Sequence, residues 1–223
     1  MARNYAMNLV QRSVSSGGKL APLVISNGLH SGTGLMNPSV FIDNDGDILV
    51  NLRHVNYTLC HSENTQKFPN RWGPLSYLHP ESDQTLRTEN YICRLDKNLS
   101  MINSAHVKML ELHTPIWEFI GLEDCRVFRW DNKLYLCGVR RDTTTNGQGR
   151  MELSELDLEI EEVLQVTSAG QNKITRITKA QEISRYRIPT PGPDNSYCEK
   201  NWMPVNDLPY HFVKWCNPTE VVK

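Results

Sequence analysis

No apolar run among the 223 residues approaches the roughly 20 that a membrane-spanning helix needs, so no membrane partner is expected. The opening stretch from Met1 to Asn8 has no apolar core of the kind a secretory leader carries, and a cytoplasmic location is expected. Charge of one sign is also missing: 24 Lys and Arg stand against 25 Asp and Glu, a formal net charge of -1. A chain so balanced does not select a nucleic-acid backbone by bulk electrostatics. None of the six cysteines (Cys60, Cys93, Cys125, Cys137, Cys198, Cys216) forms a CxxC pair, and His106 and His113 have no companions at metal-ligand spacing. No metal is therefore expected. Free thiols that pack strands in a reducing compartment are the simplest reading, although Cys198 and Cys216 flank one hairpin and would be placed to pair in an exported chain. There is no Ser-His-Asp arrangement and no phosphate-cradling glycine loop, since Gly147-Gln148-Gly149 is too short to count.

What the chain does have is a repeated strand-turn-strand pattern. One copy reads Glu123-Asp124-Cys125-Arg126-Val127, then Asp131-Asn132, then Lys133-Leu134-Tyr135 on to Arg140. An earlier copy reads Asn37-Pro38-Ser39-Val40-Phe41, then Asn44-Asp45-Gly46, then Ile48 to Arg53. A weaker third copy runs through Glu199-Lys200-Asn201-Trp202, a turn around Asn206-Asp207, and His211 to Trp215. With Asp45 and Asn132 at the two apices, Asn37 is expected to face Arg53 and Asp124 to face Arg140. Each hairpin then carries a polar residue and a guanidinium to the same open end. Repeated units of this kind suggest an all-β fold of β-propeller blades, in which such rim residues converge on one axis. Ordinary hairpins of a sandwich are the alternative.

The remainder fits strands better than helices. Leu20 to Ile25 is a candidate edge or closing strand in an otherwise loop-like segment, residues 1–34. Residues 35–223 form the repeat domain, with blade I over 36–115, blade II over 116–185 and a partial blade III over 195–223. Outer strands are expected over Thr88 to Asp96, His106 to Leu110, Met151 to Leu156 and Lys173 to Ile177, and Leu156 to Val166 is open to either strand or short helix. A long insert from Cys60 to Glu81 contains Trp72-Gly73-Pro74, and unstructured loops of that length are usually functional or disordered. Each unit spends roughly 80 residues, about twice a compact blade. An open arc of blades leaves strand edges that a homo-oligomer could cover.

Gly121-Leu122-Glu123-Asp124-Cys125-Arg126 resembles the Gly-x-Glu-Asp-Pro-Arg signature of the five-bladed β-propeller mannoside phosphorylases and their hydrolase relatives (glycoside hydrolase family 130-like). Asn37-Pro38, Arg53 and Glu199-Lys200-Asn201-Trp202 sit where that family places comparable blade motifs. Cys125 replaces the usual proline, and the later blades are absent, so the resemblance is to an incomplete propeller. It implies cleavage of a β-mannoside in an oligosaccharide or glycoside, with Asp124 as general acid and inorganic phosphate as co-substrate rather than a bound cofactor.

The residues are consistent with that chemistry. Inverting cleavage needs an acid plus either an activated water or an external nucleophile. Where related hydrolases open the first blade with an aspartate base, this chain has Asn37, which takes no proton, and phosphorolysis is favoured. The alternatives are an inverting hydrolase with Glu199 as base and a glycan-binding segment without catalysis. Successive strand residues point to opposite faces, so Glu123 and Asp124 are expected to do different jobs. Repulsion from Glu199 is the expected device for keeping a proton on Asp124. Arg53, Arg126, Arg140 and Lys200 are candidate anion or hydroxyl holders, because a guanidinium fork matches phosphate geometry. Salt bridges of Arg126 to Glu123 and of Arg140 to Asp142 are the structural alternative. Asn56, Asn90 and Asn201 are candidate amide partners for sugar hydroxyls, and Tyr57, Trp72, Trp117 and Trp202 are candidate stacking rings, with Trp72 expected to be the most exposed.

Overall fold

The structure is a computed structural model that describes residues 8–20, 34–43, 46–58, 67–167, 170–190 and 196–223. One helix, α1 (Leu9–Ser15), precedes fourteen strands among these residues. It lies in the segment read as loop. Its cause is local: Asn8 accepts from the Gln11 N–H while the Gln11 side chain accepts from the Asn8 N–H, a reciprocal cap that satisfies two helix-end donors. Most of the candidate closing strand, residues 21–25, lies outside the described residues, as do the hairpin apex at Asp45 and Cys60.

The strands are β1 (Gly34–Ile42), β2 (Ile48–Val55), β3 (Tyr57–Thr58), β4 (Ser76–Tyr77), β5 (Leu86–Leu95), β6 (Met101–Lys108), β7 (Phe119–Ile120), β8 (Leu122–Trp130), β9 (Lys133–Arg140), β10 (Arg150–Thr167), β11 (Gly170–Arg187), β12 (Met203–Pro204), β13 (Phe212–Cys216) and β14 (Thr219–Val222). Nine of them form one sheet in the order β1-β2-β5-β6-β11-β10-β9-β8, with β7 added beside β5. The two halves, β1-β2-β5-β6 and β8-β9-β10-β11, are four-stranded antiparallel meanders. They join through a short parallel pairing of β6 with β11 at Val107 and Ala180. Their first strands, β1 and β8, lie alongside each other, and the Val127 N–H donates to Ser39 Oγ at 3.0 Å, so the sheet is nearly closed and barrel-like.

Alternation along the strands builds two cores. Leu134 and Leu136 of β9 face inward, where Leu49, Ile92, Val107, Leu122, Cys125 and Val127 fill the space between the meanders. Tyr135, Cys137 and Val139 point the other way, toward Phe128, Trp130, Trp202 and Phe212, and bury the face on which the small sheet β12-β13-β14 sits. An ion pair joins the ends of β1 and β8 as well. Arg129 of β8 grips Asp43 beyond the end of β1, its Nη2 2.6 Å from Oδ2.

Leu156 to Val166 is strand throughout: β10 and β11 pair over nearly their whole length as one long ribbon. Its alternating Leu156, Leu158 and Ile160 suit a strand face as well as a helix turn, and pairing with β11 decides. The insert is also built, not loose, from residue 67 onward. Tyr57 pairs with Tyr77 and Phe68 with Leu75, and these residues close a small core with Val55 and Leu86. Cys93, Cys125 and Cys137 are buried packing residues, and Cys198 and Cys216 are both free thiols. No described helix is long and apolar enough to cross a membrane.

Candidate functional site at the strand mouths

Three non-glycine residues with positive φ mark the mouths of the three hairpins: Asn37 at 46°, Asp124 at 53° and Asn201 at 63°. Asn and Asp tolerate this left-handed region better than other side chains. At the first two, the pairing register slips, between Met36 and Ser39 in β1 and between Glu123 and Arg126 in β8. A bulge of this kind bends the strand and re-aims its side chains. Gly121, at φ 101°, fits the chain against the Thr88 carbonyl, where a Cβ would collide.

The bulge overturns the expectation that Glu123 and Asp124 serve different faces. Both reach Arg53 of the other meander: Nη1 donates to Asp124 Oδ1 at 2.7 Å, and Nη2 to Glu123 Oε2 at 3.2 Å. Alternation requires regular pleat, and the left-handed Asp124 interrupts it. The same guanidinium donates from Nη2 to Tyr57 Oη at 3.2 Å and from Nε to Thr88 Oγ1 at 3.1 Å. Arg53 is only 6% exposed and Glu123 8%. Burial pushes the Glu123 carboxyl above its ordinary range; Arg53, Arg141 and Lys200 pull it back, and Asp124 pushes it further. Its Oε1 is buried without a hydrogen bond, 3.9 Å from Arg141 Nε. Burial likewise lifts the Tyr57 hydroxyl and takes the Cys125 thiol up to about 12, which makes Cys125 a packing residue and not a nucleophile.

Other expected site residues fall elsewhere. Arg140 does not face Asp124; it pairs with Leu122, and its side chain joins Glu152 at 2.8 Å and Asp142 at 3.0 Å. The reason is turn length. Ile42 and Ile48 enclose five residues, whereas Arg129 and Leu134 at the same level enclose four. The return strand β9 is thus one step out of phase with β2. Arg140 occupies the level of His54, not of Arg53, and a one-residue slip turns a side chain to the other face. Arg53 likewise pairs with Met36 rather than Asn37, because the bulge absorbs a residue. Arg126 makes no bridge to Glu123 and donates to the Asp124 carbonyl at 3.3 Å.

Glu199 is not Asp124's like-charged neighbour; Glu123 fills that place. The Glu199 oxygens accept from Ser196 Oγ at 2.8 Å and Trp202 Nε1 at 3.2 Å, with Lys214 at 3.4 Å. Asn56 ties the start of β5 through the Arg87 N–H and the Thr85 carbonyl. Asn90, buried between the meanders, donates to the Leu122 carbonyl at 2.9 Å and accepts from Asn51 at 3.1 Å. Both are structural amides. Asn37, Lys200 and Asn201 are exposed, and Lys200 lies within electrostatic reach of Glu123.

Sequence reasoning missed Arg141 and Thr88. The Val139-Arg140-Arg141-Asp142 run contained the signal, but the 16-residue spacing shared by Asn37–Arg53 and Asp124–Arg140 drew the choice one residue short. Trp202 is fully buried and Trp72 half-exposed. Among the described residues no group of His, Cys, Asp and Glu is placed to hold a metal ion. Comparison with protein-family models, with curated proteins and with solved structures returned no match to this chain.

Proposed function

We propose that the two meanders and the small third sheet are successive blades of a β-propeller, and that the protein cleaves a β-mannoside-type bond of an oligosaccharide by phosphorolysis. The fold reading is supported by the order of strands: each meander begins with its inner strand, and β1 and β8 stand side by side. It is supported further by the left-handed Asn or Asp at the same motif position of all three hairpins. The functional reading rests chiefly on one observation, the single buried guanidinium of Arg53 that holds the Glu123–Asp124 pair across two meanders.

In this mechanism Asp124, the member of the pair nearer solvent, delivers the proton to the glycosidic oxygen or to a sugar hydroxyl beside it. Phosphate attacks the anomeric carbon, the carbon–oxygen bond breaks, and a glycosyl phosphate and an alcohol leave. Arg53 positions the pair and does not bind phosphate, because its donors are already committed. Lys200 and Arg126 are the expected residues left with donors to spare. Glu199, held on both oxygens, has no part in it.

A glycan-binding role without catalysis is favoured by the same ion pair, since Arg53 fixes Asp124 for accepting a sugar hydroxyl as well as for proton transfer. The two are separated by incubating the protein with β-manno-oligosaccharides with and without phosphate. Mannose 1-phosphate released only with phosphate supports phosphorolysis. Free mannose formed regardless of phosphate points to hydrolysis, and binding with no product to the module.

A further inference from the structure

Trp72 is 42% exposed and Tyr197 50%, yet Trp72 is not a loose surface ring. The Trp72 N–H donates to Asn70 Oδ1 at 2.9 Å, and its indole Nε1 to Glu118 Oε1 at 2.7 Å. Its ring meets Phe119 edge-on at 5.3 Å, and Arg71 stacks over it at 5.0 Å and over Trp117 at 4.2 Å. Arg141 continues the array, its guanidinium 5.6 Å from the Phe119 ring and 5.7 Å from Tyr197. It is anchored by donating to the Gly147 carbonyl at 3.1 Å and to Cys198 Sγ at 3.1 Å. Arg141 also stands 3.9 Å from Glu123, which makes the aromatic array continuous with the carboxylate pair.

We propose that Trp72 and Tyr197 form a stacking subsite for further sugar rings of an oligosaccharide whose scissile bond lies at Asp124; the inference rests on the carbohydrate reading above. A pinned, half-exposed aromatic ring offers apolar area without losing side-chain freedom when a ligand arrives, and a pyranose presents a matching apolar face of C–H groups. Arg71 is neutralised by Glu118 at 2.6 Å and Arg141 lies beside Glu123, so the array carries no surplus cation for a phosphodiester. That selects a neutral ring over a nucleotide chain.

Calorimetric titration without phosphate, using mannose, β-mannobiose and β-mannotetraose, tests the proposal. The tetraose binds the wild type at least about ten-fold tighter than mannose, one stacked ring contributing a factor of that order. In Trp72→Ala the tetraose binds no more tightly than mannose, and Trp72→Phe recovers part of the difference. A Trp72→Ala protein with the wild-type melting temperature and an undiminished preference for the longer chain overturns the subsite. So does a wild type that shows no such preference. Product release that persists in Asp124→Asn, with chain-length preference intact, removes the catalytic reading and leaves the subsite standing.

Discussion

Replacing Arg53 by methionine removes one guanidinium and strands four partners at once. Glu123 loses the donor at 3.2 Å, Asp124 the donor at 2.7 Å, and Tyr57 and Thr88 lose hydrogen bonds at 3.2 and 3.1 Å. Methionine fills much of the volume, so the cost is electrostatic rather than a cavity. Breaking a buried ion pair by removing one partner costs about 3–5 kcal/mol, because the charge left behind stays desolvated. Against a typical domain stability of about 5–15 kcal/mol, that is a large fraction.

The cost depends on pH, and its sign follows from Glu123. Burial raises its folded-state carboxyl above the unfolded 4.5, and Arg53 is the strongest influence opposing that rise. A group with a raised folded value contributes its stability fully below the unfolded value and loses it as pH climbs through the folded one. Without Arg53 the folded value climbs further and the window of loss widens. Urea unfolding of wild type and Arg53→Met from pH 4 to pH 8 is the assay. The deficit is expected to be several kcal/mol at neutral pH and to shrink toward pH 4. A deficit under about 1 kcal/mol, or one independent of pH, contradicts a buried pair held by Arg53, since a surface pair would behave that way.

Three further outcomes are expected. Asp124→Asn retains the fold, because asparagine tolerates the left-handed backbone, whereas Asp124→Val costs about 1–3 kcal/mol, read from paired melting curves. Asn90→Ala strands the Leu122 carbonyl and the Asn51 amide between the meanders and costs about 1–3 kcal/mol in urea unfolding. The Glu123 carboxyl, followed by carbon-detected NMR, titrates above the ordinary glutamate range; Lys200→Met moves the midpoint higher still, because Lys200 favours the ionised form, and an unmoved midpoint contradicts that coupling.

Much of this was legible in the chain, and the illegible part has one cause. The Asp131-Asn132 apex is written in residues that accept positive φ, and the structure places both there, between Trp130 and Lys133. Matching two hairpins end to end puts Arg53 and Asp124 at the same open end, and the structure joins them directly in an ion pair. Phase did not follow. Whether Arg140 or Arg141 turns toward Glu123 depends on one residue of turn length, and whether Glu123 and Asp124 share a face depends on a bulge. Neither leaves a periodic signature in hydrophobicity. Asn56 and Asn90 looked like ligands for a related reason: an amide that stitches two meanders together and one that awaits a hydroxyl are the same residue type until its partners are known.

One phosphorus NMR spectrum, recorded on the protein with β-mannotetraose and inorganic phosphate, tests the proposed chemistry most directly. A new phosphate-ester resonance of a sugar 1-phosphate is expected with the wild type and none with Asp124→Asn. No ester signal from the wild type, or equal signals from both proteins, contradicts the assignment of the Arg53-held carboxylate pair as the centre of the chemistry.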